Sequence, residues 1–486
     1  MIGAGIAGLA AAHRLHELNP SLSIQLFEAS LRPGGALQTR HHNGFLIERG
    51  ADNFITNVPW ALNLCRRLKI DDQLITTRPQ HRGAYVVRQG RLKRIPAGFQ
   101  MVAPRRLRSV LTSPLLSLTG RLRLVCEPLI PARTDTTDET VAEFAKRRLG
   151  KEAYRWLVEP LVAGIYTADA QHLSAQATIP QFVAMERTHG SLWRGARQAA
   201  DCPGQDPTSG GARYALFQTF RNGLSVLVDS LVSQLPTGTL LENTPVTALA
   251  QDQRRWQIKV ANGELPPQGF EGVIVALPAV DAGRLLHPVD AILADELISI
   301  RYASSVVVTL GFRRNQIAKN LDAFGIVVPA AEQRTTLAVS FSSVKYEQRA
   351  PDDCELLRVF LGGARNEEVH ELSDSHLRKL ALDELQSFIG TQGSPQICEI
   401  TRWSQAMPQY QLGHLERITT IEERITQLPH LQLPTIKWNR REKKQKDKST
   451  LSTQKNVRPL VGLFQPKRHL LLLSKMRRLM KMTIIS

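Results

Sequence analysis

Long apolar runs are missing from this sequence. No stretch reaches the eighteen or so uninterrupted apolar residues that a membrane-spanning helix needs. Hydrophobic residues still fill 42% of the 486 positions, enough for two or three domains with sizeable cores. Cysteine is sparse as well. Its five copies, Cys65, Cys126, Cys202, Cys354 and Cys398, are scattered, and none stands in a C-x-x-C pair. This argues against a disulfide framework or a zinc site and for a reducing compartment. No cationic flank precedes the first apolar segment, so a signal peptide is not expected.

Positive charge is abundant only at one end. The formal net charge is +18, but the 52 residues from Thr435 onward hold 15 Lys and Arg against 2 Asp and Glu. The remainder holds 47 against 42 and is nearly balanced. Clustered cations attract any polyphosphate chain. The tail, however, offers only Trp438 and Phe464 as aromatics on which bases could stack. A nucleic-acid partner is therefore not expected.

What the sequence does have begins at once, in "MIGAGIAGLAAAHRL". Gly3, Gly5 and Gly8 form G-x-G-x-x-G: the first permits a tight turn, the second lets a pyrophosphate approach the backbone, and the third allows close helix–strand packing. The helix that follows, from about Ala7 to Leu18, turns its free N–H groups and partial positive charge toward the phosphates. Glu28 lies 20 positions beyond Gly8, after the apolar "SLSIQLF", where a carboxylate accepts hydrogen bonds from ribose hydroxyls. An acid there disfavours a 2′-phosphate. "RPGGALQT" follows, and its adjacent Gly34 and Gly35 again let backbone come close to a ligand. Together with "FLIERGADNF" at 45–54 this extends a dinucleotide site toward an isoalloxazine ring, which points to FAD.

The remaining pattern suggests an α/β fold: a Rossmann-like FAD-binding domain with a mixed-sheet substrate domain and a helical insertion. Residues 1–83 and 214–290 read as the two parts of the FAD-binding domain. Residues 84–213, rich in arginine, proline and leucine pairs, read as the helical insertion, with a face suited to a membrane surface. Residues 291–434 read as the substrate domain, with strands at "SSVVVTLGF" and "TTLAVSFSS" and a long helix near 367–389. Within the second part, 214–236 reads as helix and "TPVTALAQDQRRWQIKVANGE" as two antiparallel strands with Asn262-Gly263 as a turn. Residues 435–486 read as a disordered basic tail.

The combination of G-x-G-x-x-G, Glu28, R-x-G-G and "VIVALPA" resembles the flavin amine-oxidase superfamily. Within it, "ERGADNFI" at 48–55, "EPLVAGIYTAD" at 159–169 and "WSQAMPQYQLGH" at 403–414 resemble the protoporphyrinogen oxidase family, over roughly residues 1 to 433. The resemblance implies an FAD enzyme of haem biosynthesis that oxidises protoporphyrinogen IX to protoporphyrin IX with molecular oxygen, by hydride transfer from a meso carbon to flavin N5. It implies a tetrapyrrole substrate held in an apolar slot and a membrane-binding insertion. The protein would then be cytoplasmic and peripheral at the inner face of the cell membrane, with a homodimer as one assembly open to it. A coproporphyrinogen III oxidase, a desaturase and an amine oxidase remain open as alternatives, and a membrane or nucleic-acid binder working through the basic tail as a remote one.

Carried over by position, the FAD contacts implied are Gly3, Ala4, Gly5, Ile6, Ala7 and Gly8 at the pyrophosphate and Glu28 with Ala29 at the ribose. Ala36, Gly50, Ala51, Asp52 and Asn53 would lie toward the flavin, Val246 against the adenine through its backbone, and Trp403 near the ring. Where some relatives place an arginine for a substrate propionate, this sequence has Gln100; Arg94, Arg105 and Arg106 are the substitutes. No catalytic triad and no metal set stands out, so no catalytic residue is assigned. His41 and His42 read as surface residues, and His414 as packed or hydrogen-bonded. Asp52 reads as ordering a loop by accepting backbone hydrogen bonds, and Tyr166 and Tyr410 as core aromatics or pocket walls.

Two further expectations concern the ends. Met1 and Ile2 leave two residues for a first strand that usually runs about five, which suggests a start placed too late. The resemblance also implies a late strand followed by a glycine cluster and a helix. "ITQLPHLQLP" stands where that strand begins, but only Gly462 follows. A shifted reading frame or wrongly joined terminus after Pro434 is expected, with weak FAD binding or incomplete folding of the chain as written.

Overall fold

The computed structural model describes residues 1–104, 106–198, 216–253, 255–261, 269–433 and 484–485. The chain divides into two units. The first gathers Met1–Pro33, Leu231–Leu297 and the described part of Ile418–Met482. Its centre is a parallel arrangement of very short strands. Ile2 bridges in parallel to both Phe27 and Val275, Leu26–Phe27 pairs with Leu240–Leu241, and Val273–Ile274 pairs with Leu431–Gln432. The order across the sheet is therefore 431, 273, 2, 26, 240, the doubly wound pattern of a dinucleotide fold.

The inner strands, Leu26–Phe27 and Val273–Ile274, are short, apolar and buried, as a parallel sheet covered on both faces requires, while the edges Leu240–Leu241 and Gln432 are half-buried. The stub before the first glycine turn is held on both sides: the Ile2 amide donates to the Ile274 carbonyl at 2.9 Å, and the Gly3 amide to the Phe27 carbonyl at 2.8 Å. The buried Met1 ammonium donates to the Gln25 carbonyl at 2.6 Å, and burial pushes its pKa down to about 5. Helix Ile6–Leu18 crosses from Ile2 to the next strand, burying Gly8, Leu9, Ala11 and Ala12. The strand expected near "ITQLPHLQLP" is Leu431–Gln432; the basic tail and its expected defects lie outside the described residues, apart from Ile484–Ile485.

The hairpin Val246–Asp252 with Arg255–Val260 is antiparallel, as its alternation suggests. The chain reverses at Gln253, in the left-handed region at φ 52°; Asn262-Gly263, expected as a turn, lies outside the described residues. Fully buried Trp256 anchors the second strand, its Nε1 donating to the Pro429 carbonyl at 3.0 Å.

The second unit comprises Gly34–Ser230, Ile298–Arg417 and the strand Ile484–Ile485. A seven-stranded mixed sheet dominates it, in the order Ile397–Pro408, Tyr302–Arg313, Cys354–Gly362, Thr336–Phe341, Gly325–Val327, Tyr85–Arg88, Arg91–Arg94. Only the pairing of Gly325–Val327 with Tyr85–Arg88 is parallel. Thus 84–213 is not helical throughout: its first residues complete the sheet of the other segment, and helix begins at Leu107. The stretch expected as one helix at 214–236 likewise divides. Phe217–Phe220 is a strand between Asn53–Ile55 and Leu74–Thr76, Gly223 turns the chain at φ 90°, and the helix is Ser225–Ser233.

The helical part packs Phe144, Leu149, Leu157 and Val162 into one core, closed beneath by a buried network of Glu127, Arg148 and Glu186. At its surface Leu118, Leu122 and Leu129 stand 70%, 53% and 78% exposed. Among the described residues no helix is long and apolar enough to cross a membrane.

Candidate cofactor and substrate site

In the first unit the three glycines have distinct duties. A Cβ on Gly3, at φ 93°, would stand 2.7 Å from the Ala276 carbonyl oxygen, and one on Gly8 would stand 1.9 Å from the Gly3 carbonyl oxygen. Those two are demanded by turn and packing. Gly5, the residue before the helix, is different: a Cβ there would meet nothing within 4 Å. Its bareness leaves open space where the helix presents the N–H groups of its first turn, which lack acceptors within the helix. Such an opening at a helix N-terminus has the form of a pyrophosphate cradle, and Gly3 through Gly8 fit the diphosphate of an FAD.

Glu28 sits at the end of the adjacent strand. Its Oε2 accepts from the Ala4 amide at 2.7 Å, and its Oε1 from the Ser30 amide and hydroxyl at 2.9 and 2.6 Å. The carboxylate is thereby fixed beside the glycine turn, with lone pairs left for ribose hydroxyls. Ala29 is exposed next to it, and Val246 opens the hairpin strand in the same unit. The first unit thus brings together Gly3–Gly8 and Glu28, one strand apart.

In the second unit the carried-over residues form a separate group. Gly50 has almost no room: a Cβ would stand 2.2 Å from the Ala36 carbonyl oxygen and 2.8 Å from the Trp403 ring. Trp403 donates its Nε1 to the Arg49 carbonyl at 3.0 Å. Ala36, Gly50 and Trp403 are therefore in contact. Ala51, Asp52 and Asn53 continue the segment and are buried.

Asp52 corrects the expectation made for it. Its partners are not backbone amides but buried side chains: Lys345 Nζ at 3.1 Å, Arg358 Nη1 at 3.6 Å and the Asn53 amide. Burial pushes the Asp52 carboxyl up, and the charges of Lys345 and Arg358 more than offset that, holding it below its ordinary value. Burial pushes Lys345 down, with Asp52 opposing. Arg358 also donates to the Gly50 carbonyl at 2.5 Å. Arg349 donates to the carbonyls of Phe220 at 2.8 Å and Arg221 at 2.9 Å. Glu48, beside these cations, accepts from the Leu224 amide at 2.7 Å and the Thr39 hydroxyl at 2.8 Å. Burial outweighs both bonds and raises its pKa to about 7.

Lys345, Arg349 and Arg358 were not among the sequence candidates. The available clue was one cation inside the apolar strand "CELLRVFLG".

The other candidates are plainly placed. His41 and His42 are exposed on a strand. His414 is buried and stacked on Tyr410 with ring centroids 4.3 Å apart, and burial pushes it down to about 4, so it is a packed neutral imidazole. The Tyr166 hydroxyl donates to the Thr178 carbonyl at 3.4 Å. Arg94 is engaged with Asp322 at 3.1 Å, Arg106 is exposed, and Arg105 and the Gln100 side chain lie outside the described residues. A cavity of about 260 Å³ opens where the strands from Tyr302 and to Pro408 end, lined by His172, Arg301, Arg365, Gln409 and Gln411 among others.

The family model for flavin containing amine oxidoreductases matches residues 6–433. The chain is 32% identical over 428 residues to coproporphyrinogen III oxidase of Bacillus subtilis (strain 168), covering 87% of this chain and 89% of that one. Protoporphyrinogen oxidase 2 of Arabidopsis thaliana, chloroplastic/mitochondrial, is 26% identical over 460 residues, covering 88% and 87%. A crystal structure from Exiguobacterium sp. 255-15, provisionally named protoporphyrinogen oxidase, superposes with a TM-score of 0.77 at 28% identity, covering 89% of this chain and 92% of that one.

Proposed function

This chain belongs to the flavin containing amine oxidoreductase family, and from that premise we propose that it is an FAD-dependent oxidase of coproporphyrinogen III. The observation that carries the choice of tetrapyrrole is the 32% identity, over nearly the whole chain, to a coproporphyrinogen III oxidase. FAD supplies the hydride acceptor when bound, with molecular oxygen as the terminal oxidant. The chain's own residues bind and orient: Gly3–Gly8 take the pyrophosphate and Glu28 the ribose. Arg301 and Arg365 line the 260 Å³ cavity, each paired with a carboxylate of the chain, Glu367 at 2.9 Å and Glu159 at 2.5 Å, and a polycarboxylate substrate would share them with those acids.

Protoporphyrinogen IX is the second reading, favoured by the three stretches "ERGADNFI", "EPLVAGIYTAD" and "WSQAMPQYQLGH" and by the plant relatives at 26% identity. The two substrates differ in carboxylate number. The full chain, supplied with FAD, is assayed by the gain of porphyrin fluorescence on each. The expected result is a kcat/KM for coproporphyrinogen higher by about tenfold or more, the worth of one charge-assisted hydrogen bond. Preference for protoporphyrinogen would install the second reading, and inertness to both would remove the two together.

We further propose peripheral contact with an anionic membrane through the insertion. Its support is the row of exposed leucines, Leu118, Leu122 and Leu129; Arg121 and Arg123 between them are half-buried and donate to the carbonyls of Leu111, Leu116, Arg147 and Arg148. Flotation with anionic vesicles is the expected result, lost in Leu118→Asp/Leu122→Asp; protein left wholly at the bottom of the gradient defeats the idea.

A further inference from the structure

Strand Cys354–Gly362 ends in a turn made by Gly362 at φ 90° and Gly363 at φ 78°. The Ala364 amide then donates to the Thr167 carbonyl at 3.1 Å, and this places Arg365 on the wall of the 260 Å³ cavity. Every residue lining that cavity belongs to the second unit. Its volume falls just below the range that encloses a drug-sized ligand, about 300–1,000 Å³. It therefore takes one arm of a large molecule, not the whole of it.

The two arginines that line it differ. Arg301 pairs with Glu367 at 2.9 Å, but their side chains are 51% and 43% exposed, so solvent screens the pair and it is worth little. Arg365 pairs with Glu159 at 2.5 Å, and here the side chains are 19% and 7% exposed. Glu159 engages Nη1 of Arg365 through Oε1 and accepts from the Ala330 amide at 3.0 Å through Oε2. Among the described residues the other nitrogens of Arg365 find no acceptor. One edge of the guanidinium is held by the chain, and the rest is left for a ligand.

A carboxylate beside an arginine ordinarily titrates low. Glu159 is raised instead: burial outweighs the Arg365 charge, and the Asp169 carboxylate adds to the rise. Tyr154 also faces it and stays neutral, pushed up by burial and by the charges of Glu159 and Asp169. We propose that one carboxylate arm of the substrate binds Arg365 in this cavity, and that Glu159 is the positioning residue that holds Arg365 until then and yields it by taking a proton from solvent. The proposal rests on the reading of the chain as an oxidase of a carboxylate-bearing tetrapyrrole. A second carboxylate beside Glu159 disfavours its charge further, so the complex holds more protons than the free protein. Affinity therefore rises as pH falls, down to the range where the ligand's own carboxylates protonate.

The test is binding of coproporphyrin III, the aromatic tetracarboxylate that oxidation of the proposed substrate yields, to the full chain. Porphyrin fluorescence reads the affinity between about pH 5.5 and 8, and it falls as pH rises, by up to about tenfold per unit where one proton is linked. Arg365→Met weakens binding by about tenfold or more, the worth of a charge-assisted hydrogen bond, and Arg365→Lys restores most of it. Arg301→Met changes it by less than about threefold. Glu159→Gln keeps the shape without the charge, so binding tightens at the alkaline end and the slope with pH disappears. A Glu159 that serves packing alone gives the opposite, looser binding with the slope intact. Imidazoles gain protons in the same range, and His172 lines the cavity beside Asp169 at 3.3 Å. His172→Gln is expected to leave the slope in place; a slope lost there and kept in Glu159→Gln overturns the proposal. Should Arg365→Met fail to fold, Glu159→Gln and Arg365→Lys decide in the same terms. Protein that oxidises coproporphyrinogen while these variants bind coproporphyrin unchanged, or while none binds at all, overturns this inference alone. Protein that neither oxidises the one nor binds the other overturns it together with the reading beneath it.

Discussion

Gly8→Val is expected to purify without flavin and to melt well below the unaltered chain. The Gly8 Cβ would lie 1.9 Å from the Gly3 carbonyl oxygen, and that atom is backbone, not the end of a side chain that can swing away. Helix Ile6–Leu18 would have to move by more than 1 Å from the sheet it covers, or the turn at Gly3 would have to open. Overpacking of a rigid site costs about 1–3 kcal/mol even for a single methylene, and valine adds three carbons. Either adjustment also moves the N–H groups of the first helical turn away from the diphosphate. Gly5→Ala is the control that separates packing from binding. Its methyl enters open space, so the melting temperature holds within a few degrees, while the methyl stands where the phosphate approaches and the flavin-to-protein ratio falls. The measurements are flavin absorbance of the purified protein and thermal melting by circular dichroism. Gly8→Val with a full flavin complement and an unchanged melt would mean that this glycine turn is not the cradle.

The glycine turn and the carboxylate beside it were legible in the sequence because they are local. Gly3, Gly5, Gly8 and Glu28 act within 28 residues, and their spacing is set by one turn, one helix and one strand. The alternating hairpin Val246–Val260 was legible for the same reason, but its turn was not. The register pairs Asp252 with Arg255 and puts the reversal at Gln253, a residue with no turn signature of its own. Phe217–Phe220 has an apolar run that helix and strand share at this length. Flanking strands on both sides decide it, and these come from residues 53–55 and 74–76. The partners of Asp52 were beyond reach on the same principle. Lys345 is 293 positions away, and nothing in "GADNF" says that a cation will be delivered to it by the short helix Ser342–Lys345. Tyr85–Arg94 was absorbed into a helical insertion because its arginines looked like surface punctuation, whereas the pairing with Gly325–Val327 makes it the sheet's edge.

Glu127→Ala is expected to cost the protein about 3–5 kcal/mol, the range for breaking a buried ion pair from one side. Glu127 and Arg148 both have fully buried side chains. The carboxylate accepts from Arg148 Nε at 2.9 Å, from the Ser191 hydroxyl at 2.6 Å and from the amides of Leu192 and Trp193 at 2.9 and 3.2 Å. Alanine therefore orphans a guanidinium and two amides at once, in a core where water cannot replace the lost acceptor. Arg148 retains the carbonyls of Ile130 and Gly190 and a longer contact with Glu186 at 3.4 Å, which is too little to neutralise it. Two comparisons give the prediction its edge. Glu127→Leu with Arg148→Met removes both charges and should recover most of the loss, because the penalty lies in the charge left behind. Asp322→Ala, which breaks a solvent-exposed pair with Arg94 at 3.1 Å and the hydrogen bond from the Tyr85 hydroxyl, should cost about 1–2 kcal/mol. Denaturant titration of the four proteins measures all three effects. If Glu127→Ala proved no worse than Asp322→Ala, the network under the helical core would be incidental to its stability. The leucines displayed above it would then need another explanation for how they are held in place.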